Sequence, residues 1–132
     1  MQLTRHTDYA LRVLMYLGKQ PDKLSSVSEI AEYYSVSRNH LVKVVQGLTE
    51  SGFVKTTRGK NGGMQLACEA KDISVGSVVR KMENHFNIVE CFEFNSGGCC
   101  IESSCGLKGV IHRATNNFLK ELDQTSLAEV LY

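Results

Sequence analysis

Apolar residues recur at helical spacing through the first third of the chain. Between residues 5 and 18, Tyr9, Leu11, Val13, Leu14 and Leu17 give one largely apolar side, which predicts an amphipathic helix ended near Gly18 and Pro21. Ser26-Val27-Ser28-Glu29 has the capping-box form that opens a second helix, and Ile30-Ala31 begins its buried face. That helix is short and ends near Tyr34. Ser35-Val36 then makes a tight turn, and Ser37 is an N-cap for a third helix. Within it Leu41, Val44, Val45 and Leu48 fall at i, i+3, i+4 and i+7, a continuous buried stripe. A short helix, a tight turn and a longer helix with a polar outer face predict a helix-turn-helix.

The pattern then becomes extended. Phe53–Thr57 and Met64–Ala67 read as two short strands joined by Arg58-Gly59-Lys60-Asn61-Gly62-Gly63, whose glycines and asparagine tolerate positive φ. Val75, Val78, Val79 and Met82 mark another short amphipathic helix. From Gly106 to about Asp123, Leu107, Val110, Ile111, Ala114, Phe118 and Leu122 share one side of a helix roughly 27 Å long. That is long for so small a protein, and the stripe suits a partner subunit better than packing within the chain. Leu127, Val130 and Leu131 are expected to form a last turn docked beside it. The predicted fold is mainly α with a small β-hairpin wing. It divides into a winged helix-turn-helix DNA-binding domain over 1–83, a cysteine-rich loop over 84–105, and a dimerisation helix with a C-terminal turn over 106–132.

Charge sharpens the picture. The formal net charge is only +1, yet residues 37–65 carry Arg38, Lys43, Lys55, Arg58 and Lys60 against Glu50 alone. The outer face of the third helix offers Arg38, Asn39, His40, Lys43 and Gln46, side chains able to reach phosphates and base edges. Arg58 and Lys60 occupy the hairpin tip. A basic, glycine-rich hairpin directly after a recognition helix reads as a wing, and double-stranded DNA is the partner implied. No nucleophile–base pair or phosphate-binding loop points to an enzyme. No apolar run approaches membrane-spanning length, and Met1–Asp8 is no signal peptide. A cytoplasmic protein without a membrane partner is expected.

Cysteine is the remaining signal. Four of the five cysteines fall between Cys91 and Cys105, with Gly97-Gly98 to let the backbone fold back. In a reducing compartment such a cluster points to a metal or redox centre, and an odd count argues against full pairing. Thiolates gathered in one loop suit a soft metal: an iron–sulfur centre, or a structural zinc. Cys105 opens the long helix, where the dipole favours thiolate. Cys68, just after the second strand, reads as a packed or incidental thiol.

Taken together, these motifs resemble the iron–sulfur winged-helix transcriptional repressors (IscR/NsrR-like) over essentially the whole chain. Thr7-Asp8-Tyr9-Ala10-Leu11-Arg12 is similar to the family's opening. Val36–Lys43 is similar to its recognition helix, Arg58–Gly63 to its wing signature, and Cys91-x7-Cys99-x5-Cys105 to its cluster loop. The likeness is closest to the nitric-oxide-sensitive branch. It implies a homodimeric repressor that binds operator DNA and is released when its cluster, 2Fe–2S or 4Fe–4S, is nitrosylated. It extends the DNA-facing set to Ser37 and Asn61, and it makes Cys91, Cys99 and Cys105 the cluster ligands. Cys99 and Cys100 compete for the middle place, and the five-residue gap to Cys105 favours Cys99. In the iron–sulfur assembly branch a histidine three residues after the third cysteine completes the set; here that position is Lys108. In the nitric-oxide branch the fourth ligand is similar to Asp8, supplied by the partner subunit. Asp8 also has a plain reading, an acid complementing the dipole of its helix. The alternatives are an iron–sulfur or redox-status regulator of the same family, and a zinc-stabilised winged-helix module.

Overall fold

Helix α1 (Arg5–Lys19) begins at Thr4, whose hydroxyl accepts the Thr7 N–H at 3.3 Å. Ala10, Val13, Leu14 and Leu17 are buried along it and form the centre of the main core. The computed structural model describes residues 1–93 and 99–132, so the Gly97-Gly98 pair lies outside the described residues.

Helices α2 (Val27–Tyr33) and α3 (Arg38–Glu50) lie where the pattern puts them. Their caps differ from expectation. The Ser26 hydroxyl accepts the Glu29 N–H at 3.1 Å, but the Ser26 backbone is only a minor partner of the Glu29 carboxylate. The carboxylate accepts the Tyr16 hydroxyl at 2.8 Å and pairs with Lys23. A charge-assisted partner competes well against one more backbone N–H. Ser37 holds the N-cap place of α3 with extended backbone, yet its side chain makes no capping bond. The turn between the helices is carried by Ser35, at φ 53°. Leu41, Val44, Val45 and Leu48 are buried as one stripe, which turns the other side of α3 outward.

Strands β1 (Val54–Thr57) and β2 (Gly63–Leu66) pair antiparallel, Val54 opposite Leu66 and Thr57 opposite Gly63. Each starts one residue away from its predicted start. Phe53 is outside the ladder because its N–H closes the end of α3 on the Leu48 carbonyl at 2.9 Å. Ser25 adds a short third bridge, exchanging backbone bonds of 3.0 and 2.8 Å with Met64. In the wing Gly59 takes φ 111°, and a Cβ on Gly62 would lie 2.1 Å from the Thr57 carbonyl oxygen. Only glycine fits there.

Helix α4 (Val75–Met82) and the C-terminal half of α5 (Gly106–Gln124) lie against each other. Val75, Val79 and Leu119 form a second small core with Leu3, Leu11, Phe86 and Leu122 beside it. The last turn, Leu127–Val130, docks on α1 and not on α5. The cause is a backbone crossing: Thr125 accepts the Val75 N–H at 2.9 Å, and Leu127 donates to Ile73 at 2.7 Å. The chain is thereby turned away from α5, and Leu131 reaches Gly18.

Candidate nucleic-acid interface and cysteine centre

The winged helix presents the predicted polar set to solvent. Ser37, Arg38, Asn39, His40 and Lys43 on α3 are exposed, as are Arg58, Lys60 and Asn61 on the wing. Arg38 is partly committed within the chain, its Nε donating to the Ser28 hydroxyl across the turn at 3.0 Å. Gln46 donates to Glu50 at 2.8 Å, so its amide reaches a base edge only by leaving that bond. Val42 lies outside the predicted polar set. It is 41% exposed beside these polar groups, where an apolar side chain can meet the methyl group of thymine. Its signal was an apolar residue one step off the buried stripe.

The cysteines divide by environment. Cys91 is half-buried in a 3₁₀ turn, Glu90–Phe92, and Cys105 is half-buried at the N-cap of α5. Cys99, Cys100 and Cys68 are exposed, and all five are free thiols. Exposure makes Cys68 an incidental surface thiol and not a packed one. Among the described residues no three cysteine, histidine, aspartate or glutamate side chains converge tightly enough to hold a metal ion. Two thiols nevertheless share a neighbour. Lys108 pairs with Glu102 at 2.5 Å. This hydrogen bond raises the Lys108 ammonium above the ordinary lysine range against opposing desolvation, and the charges of Glu102, Cys91 and Cys105 add to it. Cys105 and Lys108 also line a cavity of about 620 Å³ with Phe92 and His112. Free thiols beside a fixed cation are a donor set that fits an anionic thiolate cluster.

Asp8 sits half-buried in the first turn of α1, and Arg12 holds both its oxygens at 2.9 and 3.1 Å. Within one chain its partner is thus a guanidinium one helical turn away.

Helix α5 uses two sides. Thr115 and Leu119 are buried against the chain, whereas Leu107, Val110 and Phe118 of the predicted stripe remain 65%, 50% and 40% exposed. The stripe pattern did not reveal the inner contact because its centre is Thr115, a polar residue whose hydroxyl is satisfied by the Ile111 carbonyl at 3.0 Å. None of the helices among the described residues is long and apolar enough to cross a membrane.

Comparison with known proteins places this architecture. The chain is 47% identical over 132 residues to the HTH-type transcriptional regulator NsrR of Bacillus subtilis (strain 168), covering 99% of this chain and 90% of that protein. The oxidized form of Staphylococcus aureus CymR superposes with a TM-score of 0.79 at 26% identity, covering 98% of this chain and 95% of the other. T. potens IscR superposes at 0.78 with 25% identity, covering 98% and 85%. The profile of the Rrf2 family, iron-dependent transcriptional regulators, matches residues 3–132. With its winged helix, its long C-terminal helix and that match, the chain belongs to the Rrf2 family of transcriptional regulators.

Proposed function

We propose that this regulator is a nitric-oxide-sensitive repressor that binds operator DNA as a homodimer and carries an iron–sulfur cluster, 2Fe–2S or 4Fe–4S. Cys91, Cys99 and Cys105 would hold the cluster, with Asp8 of the partner subunit as the fourth ligand. The observation that carries the reading is the double role of α5. Its head is Cys105, while its far end is locked to α4 of the DNA-reading domain through Arg80–Asp123 at 2.7 Å and the Val75–Thr125 backbone bond. A change at the cysteines therefore has a rigid lever to the reader. The uncovered stripe of Leu107, Val110 and Phe118 suits a second copy, and two heads at a set separation suit a palindromic operator.

When bound, the cluster held by the three cysteines would supply an iron open to a small diatomic molecule at its non-thiolate position. The chain's own residues do the rest. Arg12 holds the Asp8 carboxylate in a fixed place on α1, the wing and α3 hold DNA, and α5 ties the two together. An effector shifts DNA affinity only as far as it distinguishes the two arrangements.

The test is an anaerobic titration. Nitric oxide added to the coloured, operator-bound protein is expected to bleach it and release DNA over the same range. Equal DNA affinity before and after treatment overturns the sensor reading. A colourless protein that retains zinc favours the structural-zinc module instead. Asp8→Ala is expected to keep the thiolates but to change DNA affinity or the response to nitric oxide.

The wing has its own expected result. If Arg58 contacts a phosphate, Arg58→Ala weakens operator binding and lowers the slope of log affinity against log salt by about one per bound subunit. If it reads a base, the loss is roughly 1–3 kcal/mol of discrimination between operators. Unchanged affinity and salt slope remove the wing from the interface.

A further inference from the structure

We infer that Lys108, pinned by Glu102, is the resident cation of the cysteine centre, a positioning residue that offsets the negative charge of the thiolates and holds the head of α5 beside them. The inference rests on the cluster reading above and adds two residues to it.

The geometry is specific to this segment. Lys108 lies three residues after Cys105 in the first turn of α5, so the two project from neighbouring positions on one side of the helix. Glu102 lies in the 3₁₀ turn Glu102–Ser104 between Cys99 and Cys105. Its N–H donates to the Cys99 carbonyl at 3.0 Å, and its own carbonyl accepts the Cys105 N–H at 3.5 Å. Its carboxylate holds the Lys108 ammonium at 2.5 Å. Glu102 thus touches both flanking cysteines through the main chain and Lys108 through its side chain. Cys105 and Lys108 line one cavity together with Phe92, the neighbour of Cys91 in the chain.

Helix energetics alone do not account for this lysine. A cation in the first turn faces the positive end of the helix dipole, a local cost. Anions gathered there reverse the sign, and the thiolates with Glu102 are those anions. An ammonium has three N–H donors and no lone pair, so Lys108 cannot coordinate iron. It can donate to sulfur and compensate charge. Reduction adds negative charge to a thiolate cluster, so a cation beside it would favour the reduced form and slow the loss of ligands.

The experiment uses the whole chain, reconstituted anaerobically, as wild type, Lys108→Met, Lys108→Arg and Glu102→Gln. Two quantities are read, the midpoint potential of the cluster and the rate of iron loss to a ferrous chelator. Lys108→Met is expected to lower the potential and to speed iron loss about fivefold. Lys108→Arg is expected to restore both, and Glu102→Gln, which frees Lys108 but also removes a negative charge, to speed iron loss by a smaller factor than the Met variant. Thermal unfolding of each apoprotein reports that the fold is kept. A Lys108→Met protein with wild-type potential and iron loss overturns the role. An Arg variant as impaired as Met overturns the charge argument, since packing and not charge then matters. An unchanged rate of iron loss in Glu102→Gln overturns the pinning. A wild-type chain that takes up no iron and sulfide overturns the cluster reading itself, which separates that failure from failure at Lys108.

Discussion

Alanine at Cys91, Cys99 or Cys105 is expected to abolish retention of iron and sulfide, whereas Cys68→Ala keeps both. The contrast follows from environment. Cys91 and Cys105 are half-buried, and Cys105 shares a cavity with Lys108, while Cys68 is an exposed thiol after the second strand of the wing. With the proposed ligand set, loss of one thiolate would leave two thiolates and a carboxylate, a weaker partner for iron. Cys100→Ala is expected to behave like Cys68→Ala, because Cys99 is the residue tied through its carbonyl to Glu102. Iron and sulfide analysis of the anaerobic variants decides the point. Iron lost from Cys100→Ala and kept by Cys99→Ala would exchange the two assignments, and iron kept by Cys91→Ala would remove that ligand.

The second large effect is expected at Gly76, on α4. A Cβ there would stand 2.1 Å from Asp123 Oδ1, 2.5 Å from its backbone nitrogen and 2.7 Å from its Cα. Two of those atoms are main chain, so a rotamer change cannot relieve the overlap, and α5 must move away from α4. Overpacking of this kind costs about 1–3 kcal/mol. For a domain of this size Gly76→Ala is then expected to lower the thermal midpoint on the order of 10 °C. The same displacement stretches the Arg80–Asp123 pair and the Val75–Thr125 bond. A variant that still folds should therefore respond less to changes at the cysteines in its DNA affinity. A melting curve and an operator titration of the apo and holo forms test both parts. A wild-type midpoint would show that the contact is looser than described, and wild-type coupling would remove α5 as the lever.

The elements of this chain were legible wherever burial is one-sided. Leu41, Val44, Val45 and Leu48 belong to a helix with one wet side, and their spacing alone marks α3 and turns Arg38, Asn39 and Lys43 outward. The wing was legible for another reason. Gly59 and Gly62 hold backbone positions that side chains exclude, so composition reports conformation directly. Caps were less legible. Glu29 has the right spacing to return to Ser26, but Tyr16 and Lys23, brought beside it by folding, offer the better bonds.

The sequence by itself determined the helix-turn-helix, the wing, the long last helix and the two sets of chemistry-bearing residues, because each depends on near neighbours and on a periodic solvent boundary. Only the tertiary structure decided how those sets are joined. That α5 seats Thr115 and Leu119 inward, that Gly76 admits the backbone of Asp123, and that the last turn crosses to α1 are contacts between residues distant in sequence. Their energies depend on shape at a single point of approach, and no local period along the chain encodes that. The same holds for Lys108. Its charge was plain in the sequence, but its bond to Glu102 and its place beside Cys91 and Cys105 exist only once the segment folds back onto the head of α5.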